Sequence, residues 1–369
     1  MARDDDLTTW TFGESASRQG HAGVLKLEVG SKIEAFRLAL RRAAARLPSR
    51  TWAPDSVILA GDAADLAMLD PTPTSDLLAG EKSICLTLTA LVHGNETGGI
   101  DVLIAVLEAI AARQIRLLKP VAVALGNPQA AMSGQRFLDK DLNRSFGMSS
   151  LGTGLEPLRA RELQPILGCS RYLLDFHQTR EPSHTAFFIF PWSRKSFDFA
   201  RSITDGLPVV THWGASFSKD GMCTDEYVNA RGGTGITLEL GQCGFDEGQA
   251  RLGWGTAMRA LHATGAVSGA ELPSIESHPS FHGTIYTWNA TIPYPDGPVV
   301  DLRPGLVNFA DVERGEVLGQ QGNNTVTAPA GGRILFPKYI RPGSLEAKAP
   351  RPAELLRIMK PITKEELPG

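Results

Sequence analysis

Four short stretches of the chain hold side chains from which catalytic chemistry can be built. His93 and Glu96 follow an apolar run in Leu91-Val92-His93-Gly94-Asn95-Glu96-Thr97-Gly98-Gly99. An imidazole nitrogen and a carboxylate oxygen at this spacing can both reach one zinc, which in catalytic sites takes a third protein ligand and keeps a position for water. A solvated loop would also tolerate the pair. His177 closes a second apolar run, Arg171-Tyr172-Leu173-Leu174-Asp175-Phe176-His177, and is the candidate third ligand. The competing reading is a histidine satisfied at a strand end. Glu239 lies inside Thr237-Leu238-Glu239-Leu240-Gly241. Carboxylates are seldom buried without a partner. Facing the mouth of a metal site, Glu239 would be a general base; on an edge strand it would face water. The densest polar cluster runs from Gly134 through Arg136, Asp139, Asp141, Asn143 and Arg144 to Phe146. Asn143 and Arg144 side by side offer donors suited to clamping a carboxylate, although a hydrophilic surface loop has the same composition.

These residues need a scaffold that brings them to one edge. Val57–Ala60, Asp65–Leu69, Cys85–Val92, Val121–Leu125, Arg171–Phe176 and Gly235–Leu240 read as strands. Apolar spacing over 97–112, 156–167 and 247–262 suits helices. Strands alternating with helices predict an α/β domain, its mostly parallel sheet covered on both faces. Ligands of such sheets gather at the carboxyl ends of strands, where His93 and His177 fall. Ser31 with Glu34 predicts a capping box for a helix over 32–47, with Arg37, Arg41, Arg42 and Arg46 on a solvated face. Ala263–Ser280, rich in Gly, Ser and Pro, reads as a linker. Beyond it, short strands at Gly283–Trp288, Gly315–Gly319, Thr325–Pro329 and Arg333–Phe336, separated by glycine turns, predict a small all-β domain.

The 369 residues are 42% hydrophobic and 21% charged, with a formal net charge of -3. That balance excludes a general electrostatic nucleic-acid binder. The four cysteines form no CxxC pair, which fits a reducing compartment better than a disulfide framework. The acidic Met-Ala-Arg-Asp-Asp-Asp start does not read as a signal peptide. No apolar stretch is long enough to span a bilayer. The expectation is a cytoplasmic protein with no nucleic-acid or membrane partner; a homo-oligomer is left open.

Taken in order, His93-Gly94-Asn95-Glu96, Asn127-Pro128, Arg136 with Asp141-Leu142-Asn143-Arg144, Asp175-Phe176-His177 and Thr237-Leu238-Glu239-Leu240-Gly241 resemble the motifs of the succinylglutamate desuccinylase/aspartoacylase family, within the zinc carboxypeptidase group. The likeness covers roughly residues 57–262, and Asn308-Phe309 with Arg333-Ile334-Leu335-Phe336-Pro337 looks like that family's C-terminal domain. It implies a zinc carboxypeptidase-like fold and hydrolysis of the amide bond of a small N-acyl amino acid. It further implies one Zn2+ per chain on His93, Glu96 and His177, and Glu239 as general base and acid. Arg136 would polarise the scissile carbonyl, Asn143 and Arg144 would grip a substrate carboxylate, and Asp141 would orient the first zinc histidine. Arg231 resembles a second carboxylate-binding arginine, two residues nearer Glu239 than the family spacing. Phe137 stands where relatives often have tyrosine. The division implied is 1–50 as an N-terminal extension, 51–265 as the catalytic domain and 278–362 as the β domain. The alternatives are a zinc carboxypeptidase trimming short peptides and a non-catalytic zinc-binding or carrier-like protein, the last suggested by the lipoyl-like turn Thr327–Gly332.

Overall fold

Alternation along the strands decides which side chains face which layer. Leu174, Phe176, Ile236, Leu238 and Leu240 bury against one set of helices, and Leu173 against the other. Asp175, His177, Thr237 and Glu239 occupy the intervening positions, so these polar groups share one face. The computed structural model describes residues 22–69, 83–147, 152–204, 206–214, 217, 221–268, 282–341 and 351–368. Within them the strands Val121–Leu125, Ile84–Ala90, Ser170–Thr179 and Thr234–Gln242 lie side by side and parallel at the centre of a 12-stranded sheet. Helices Gly98–Ala111 and Glu247–Ala263 cover one face. Leu155–Cys169 and Thr224–Ala230 cover the other, around Leu163, Ile166, Leu167, Tyr227 and Val228. Both faces are therefore dry, as the long apolar runs require. Among the described residues no helix is long and apolar enough to cross a membrane.

The N-terminal helix spans Ala22–Ala44, so Ser31 lies inside it and does not cap it. Ile33, Phe36, Ala39 and Ala43 recur at helical spacing and bury into the core beside Leu103 and Val106. Two of its arginines do more than solvate a face. Arg37 Nε donates to Asp55 at 2.6 Å and Arg42 Nη1 to Glu108 at 2.9 Å. Asp65–Leu69, read as a strand, is corrected to the short helix Ala63–Ala67. Asp62 caps it by accepting from the Ala64 N–H at 2.9 Å, a local bond that outweighs the apolar run.

The C-terminal strands continue the central sheet. Ile285–Pro293 pairs parallel with Val209–His212 and antiparallel with Glu354–Ile362, which in turn carries Gly332–Leu335. A separate three-stranded sheet of Asp301–Leu302, Val317–Gln321 and Asn324–Thr327 packs on this extension around Leu302, Leu306, Leu318 and Leu356. The acidic N-terminus and most of the expected linker, from 269 on, lie outside the described residues.

Candidate active site

The turn after Ile84–Ala90 is built from the backbone up. Leu91 takes a φ of 61°, an uncommon value for leucine, while its carbonyl accepts from Asn127 N–H at 2.7 Å. Three residues on, Gly94 donates to Arg136 O at 2.9 Å, and a Cβ there would lie 2.4 Å from both Ala131 N and Gln135 O. Glycine is thus required for the Arg136 loop to approach the His93 turn.

His93, Glu96 and His177 converge: one ligand atom from each lies within 4.8 Å of the others, and all three residues are buried. Both histidines present Nδ1 to the common point and commit Nε2 elsewhere. His93 Nε2 lies 3.0 Å from Asp141 Oδ1, and His177 Nε2 lies 2.9 Å from Asp175 Oδ2. Asp175 is held in turn by Thr89 Oγ1 at 2.6 Å and Thr224 Oγ1 at 2.5 Å. His177 Nδ1 approaches Glu96 Oε2 at 2.9 Å. His93 Nδ1 is 2.8 Å from Glu96 Oε1 yet makes no hydrogen bond. A buried nitrogen without a hydrogen bond, beside a carboxylate and a second Nδ1, is the donor set of a metal site, with each histidine oriented by a carboxylate behind it. Burial alone would push Glu96 upward, but the charges of His93 and His177 hold it well below the usual carboxylate range.

Glu239 is register partner to His177 on the adjacent parallel strand. It is buried and its Oε2 has no hydrogen-bond partner. Burial first, and the Glu96 charge second, push its carboxyl up to about 8. Arg136 Nη1 donates to Glu96 Oε1 at 2.7 Å from the rim, where its side chain is 32% exposed. Asn143 Oδ1 accepts from Thr224 N–H at 3.0 Å, which leaves its amide nitrogen toward the cavity. Arg144 Nη1 donates to Asn143 O at 2.6 Å, and its guanidinium lies 4.9 Å from the Phe217 ring.

All of these groups line one cavity of about 800 Å³, together with Phe137 and the C-terminal residues Asn308, Phe336, Lys338, Glu354 and Arg357. Arg231 is not among its lining residues. It follows the Thr224–Ala230 helix and lies 5.0 Å over the Tyr227 ring, packed toward the opposite core. The expectation that it grips substrate is therefore corrected: the short spacing to Glu239 leaves it behind the helix.

Four contributors went unread in the sequence. Asp175 was accessible, since two positions on a strand share a face. Glu156 gave no local signal. Fully buried, its Oε1 accepts from Asn127 Nδ2 (3.0 Å) and Leu138 N (2.6 Å), and its Oε2 from Asp139 N (2.9 Å) and Lys140 N (3.1 Å). It anchors the loop that carries Arg136 and Asp141. Lys338 and Arg357 reach the cavity from the far end of the chain.

The "Succinylglutamate desuccinylase/Aspartoacylase catalytic domain" description matches residues 83–253. A succinylglutamate desuccinylase of Pseudomonas fluorescens is 27% identical over 275 residues, covering 70% of this chain and 80% of that protein. Among solved structures, a succinylglutamate desuccinylase from Chromobacterium violaceum superposes with a TM-score of 0.60 at 22% identity, covering 85% of this chain and 91% of that one. Murine aminoacylase 3 gives 0.51 at 20% identity, covering 76% and 95%. These structures share the fold. With the match reaching from the strand that leads into His93 to the strands that carry His177 and Glu239, residues 83–253 are a succinylglutamate desuccinylase/aspartoacylase catalytic domain.

Proposed function

We propose that the protein is a zinc-dependent amidohydrolase that releases a free amino acid from a small N-acyl amino acid. The observation that carries this is the juxtaposition of the His93–Glu96–His177 donor set with an unpartnered, buried Glu239 on the neighbouring strand. His93, Glu96 and His177 would hold the ion, which when bound lowers the pKa of water to about 7 and polarises a carbonyl. Glu239 takes the proton of the attacking water at its free oxygen and returns it to the leaving amine. Arg136 swings from the rim to the oxygen on which negative charge develops, where one such donor is worth on the order of 3 kcal/mol. Asn143 and Arg144 hold the α-carboxylate, so docking and carbonyl polarisation are set by one loop. Support also comes from relatives named for deacylation: succinylglutamate desuccinylases and an aminoacylase.

The test is metal analysis together with hydrolysis of N-acyl amino acids beside their α-carboxamides. One zinc per chain is expected, with kcat/KM lower by about 10²-fold for the carboxamides. Equal rates for acid and carboxamide would remove the amino-acid reading.

A further inference from the structure

Glu96 and His177 belong to different elements, and one side chain joins both of them to the strand of Glu239. Gln178 follows His177 and is buried. It falls in a bulge: Leu240 and Gly241 stand opposite it, between the pairs His177↔Glu239 and Thr179↔Gln242, and Gly241 takes a φ of 136°. A bulge takes its residues out of the regular ladder. The Gln178 N–H is used instead on the metal-ligand carboxylate, donating to Glu96 Oε2 at 3.2 Å.

The side-chain amide reaches further. The helix Gly98–Ala111 starts two residues after Glu96, and its first N–H groups have no partner within the helix. One of them is ordinarily taken by the side chain just before the helix, but Thr97 makes no such bond. Gln178 Oε1 caps the helix from the neighbouring strand, accepting from Gly98 N–H at 2.8 Å and, at 3.4 Å, from Gly244 N–H. Its Nε2 donates among Gln249 Oε1 (2.6 Å), Gly244 O (2.8 Å) and Gln242 O (3.1 Å), on the covering helix and at the end of the Glu239 strand. Turning the amide over would set its NH2 against two N–H groups and its oxygen against three acceptors, so one orientation is fixed. Gly98 is glycine for this contact, since a Cβ there would lie 2.5 Å from Gln178 Nε2. One residue thus ties the turn that carries Glu96, the strand that carries His177 and the strand that carries Glu239.

We propose that Gln178 is a positioning residue, which fixes the Glu96 carboxylate against His177 and thereby sets the affinity of the site for its metal. This rests on the zinc reading of the site and adds the part that holds its carboxylate ligand in place. Gln178→Met keeps the length of the side chain and removes every hydrogen bond of the amide. Zinc Kd is measured on folded apoprotein by chelator competition, beside the visible spectrum of Co2+-loaded protein, which reports ligand geometry. Gln178→Met should raise the zinc Kd by about 10–100-fold and shift the Co2+ bands. Gln249→Met is the control for stability alone. Gln178 Nε2 has two hydrogens, and Gly244 O and Gln242 O still take both when Gln249 is lost. That control should lower the unfolding midpoint and keep zinc Kd within about threefold. Gly98→Ala strikes the same contact from the other side: alanine suits a helix better than glycine, yet its Cβ displaces the Gln178 amide. Its zinc Kd should rise by about tenfold or more, and it decides the matter if Gln178→Met does not fold. A zinc Kd within about threefold of the unsubstituted protein in folded Gln178→Met or in Gly98→Ala overturns the proposal and leaves the zinc reading standing. An equal rise in Gln249→Met also overturns it, because general loosening would then account for the effect. An unsubstituted protein that binds no zinc removes the zinc reading itself, and the proposal with it.

Discussion

Glu156 touches neither metal ligand nor cavity, yet it should govern turnover. Its two oxygens accept four hydrogen bonds, three of them from the consecutive N–H groups of Leu138, Asp139 and Lys140. Glu156→Gln keeps the shape but converts one oxygen to an amide nitrogen, so two accepted bonds are lost and donors face donors. A hydrogen bond to a charged group contributes about 1.5–3 kcal/mol, which sets a loss of at least about 3 kcal/mol for the pair. The 136–141 loop can relieve the clash by moving, and that is where function enters. Arg136 and Asp141 ride on it, and a displacement of about 1 Å at a reacting group can cost roughly 10²-fold. The assays are denaturant unfolding for stability and kcat, KM and zinc content far below the unfolding midpoint. The expected pattern is a lower midpoint together with a drop in kcat/KM of about 10²-fold in protein that is still folded. Glu156→Asp, which restores the charge, should recover part of both. If Glu156→Gln loses stability but keeps kcat/KM within about twofold, the carboxylate holds the loop without placing its side chains and the reasoning fails.

Glu239→Gln should retain zinc and fold while kcat falls by about 10²–10⁴-fold; near-normal kcat would assign the proton transfer to another group. Asp225, buried beside Glu226, has its carboxyl pushed up to about 7, chiefly by burial and then by the Glu226 charge. The unfolded chain ionises this group from about pH 4, so between there and pH 7 the folded state holds one proton more and stability falls as pH rises. In zinc-stripped protein, Asp225→Asn should make that slope shallower, by at most about 4 kcal/mol at pH 8, the raised carboxyl of Glu239 keeping the remainder. An unchanged pH dependence of the melting temperature would refute it.

Much of the site was legible because its residues obey strand arithmetic. His177 and Glu239 interrupt apolar runs at positions that alternate with Phe176 and Leu238, and polar groups at such places must have a purpose. Asp175, two residues before His177, obeys the same rule and was readable on the same ground. Glu156 was not: a single glutamate at the start of a helix is ordinary, and only the fold shows that three loop N–H groups converge on it. Arg231 illustrates the opposite failure. Its distance from Glu239 along the chain is close to that of a substrate residue, but helix geometry decides the side, and the side chain ends on Tyr227. Among the elements, short strands such as Phe187–Pro191 and Val209–His212 lack the length for a clear period, so local pattern could not announce that they bridge the central sheet to the C-terminal strands.

That bridge has a bearing on how such an enzyme changes over generations. His177 and Glu239 stand on strands whose neighbours fix them on both sides, and His93 and Glu96 on the turn after Ile84–Ala90, while Phe336–Lys338 is a connection between Gly332–Leu335 and Glu354–Ile362, free of ladder bonds to those strands. The His93–Glu96–His177 set with Glu239, and the cavity wall formed by Phe336 and Lys338, are thus written in parts of the chain far apart in sequence but joined through one sheet. Substitutions at the connection can reshape that wall while the ligand set is inherited intact, and the shared ladder keeps each new wall in register with it.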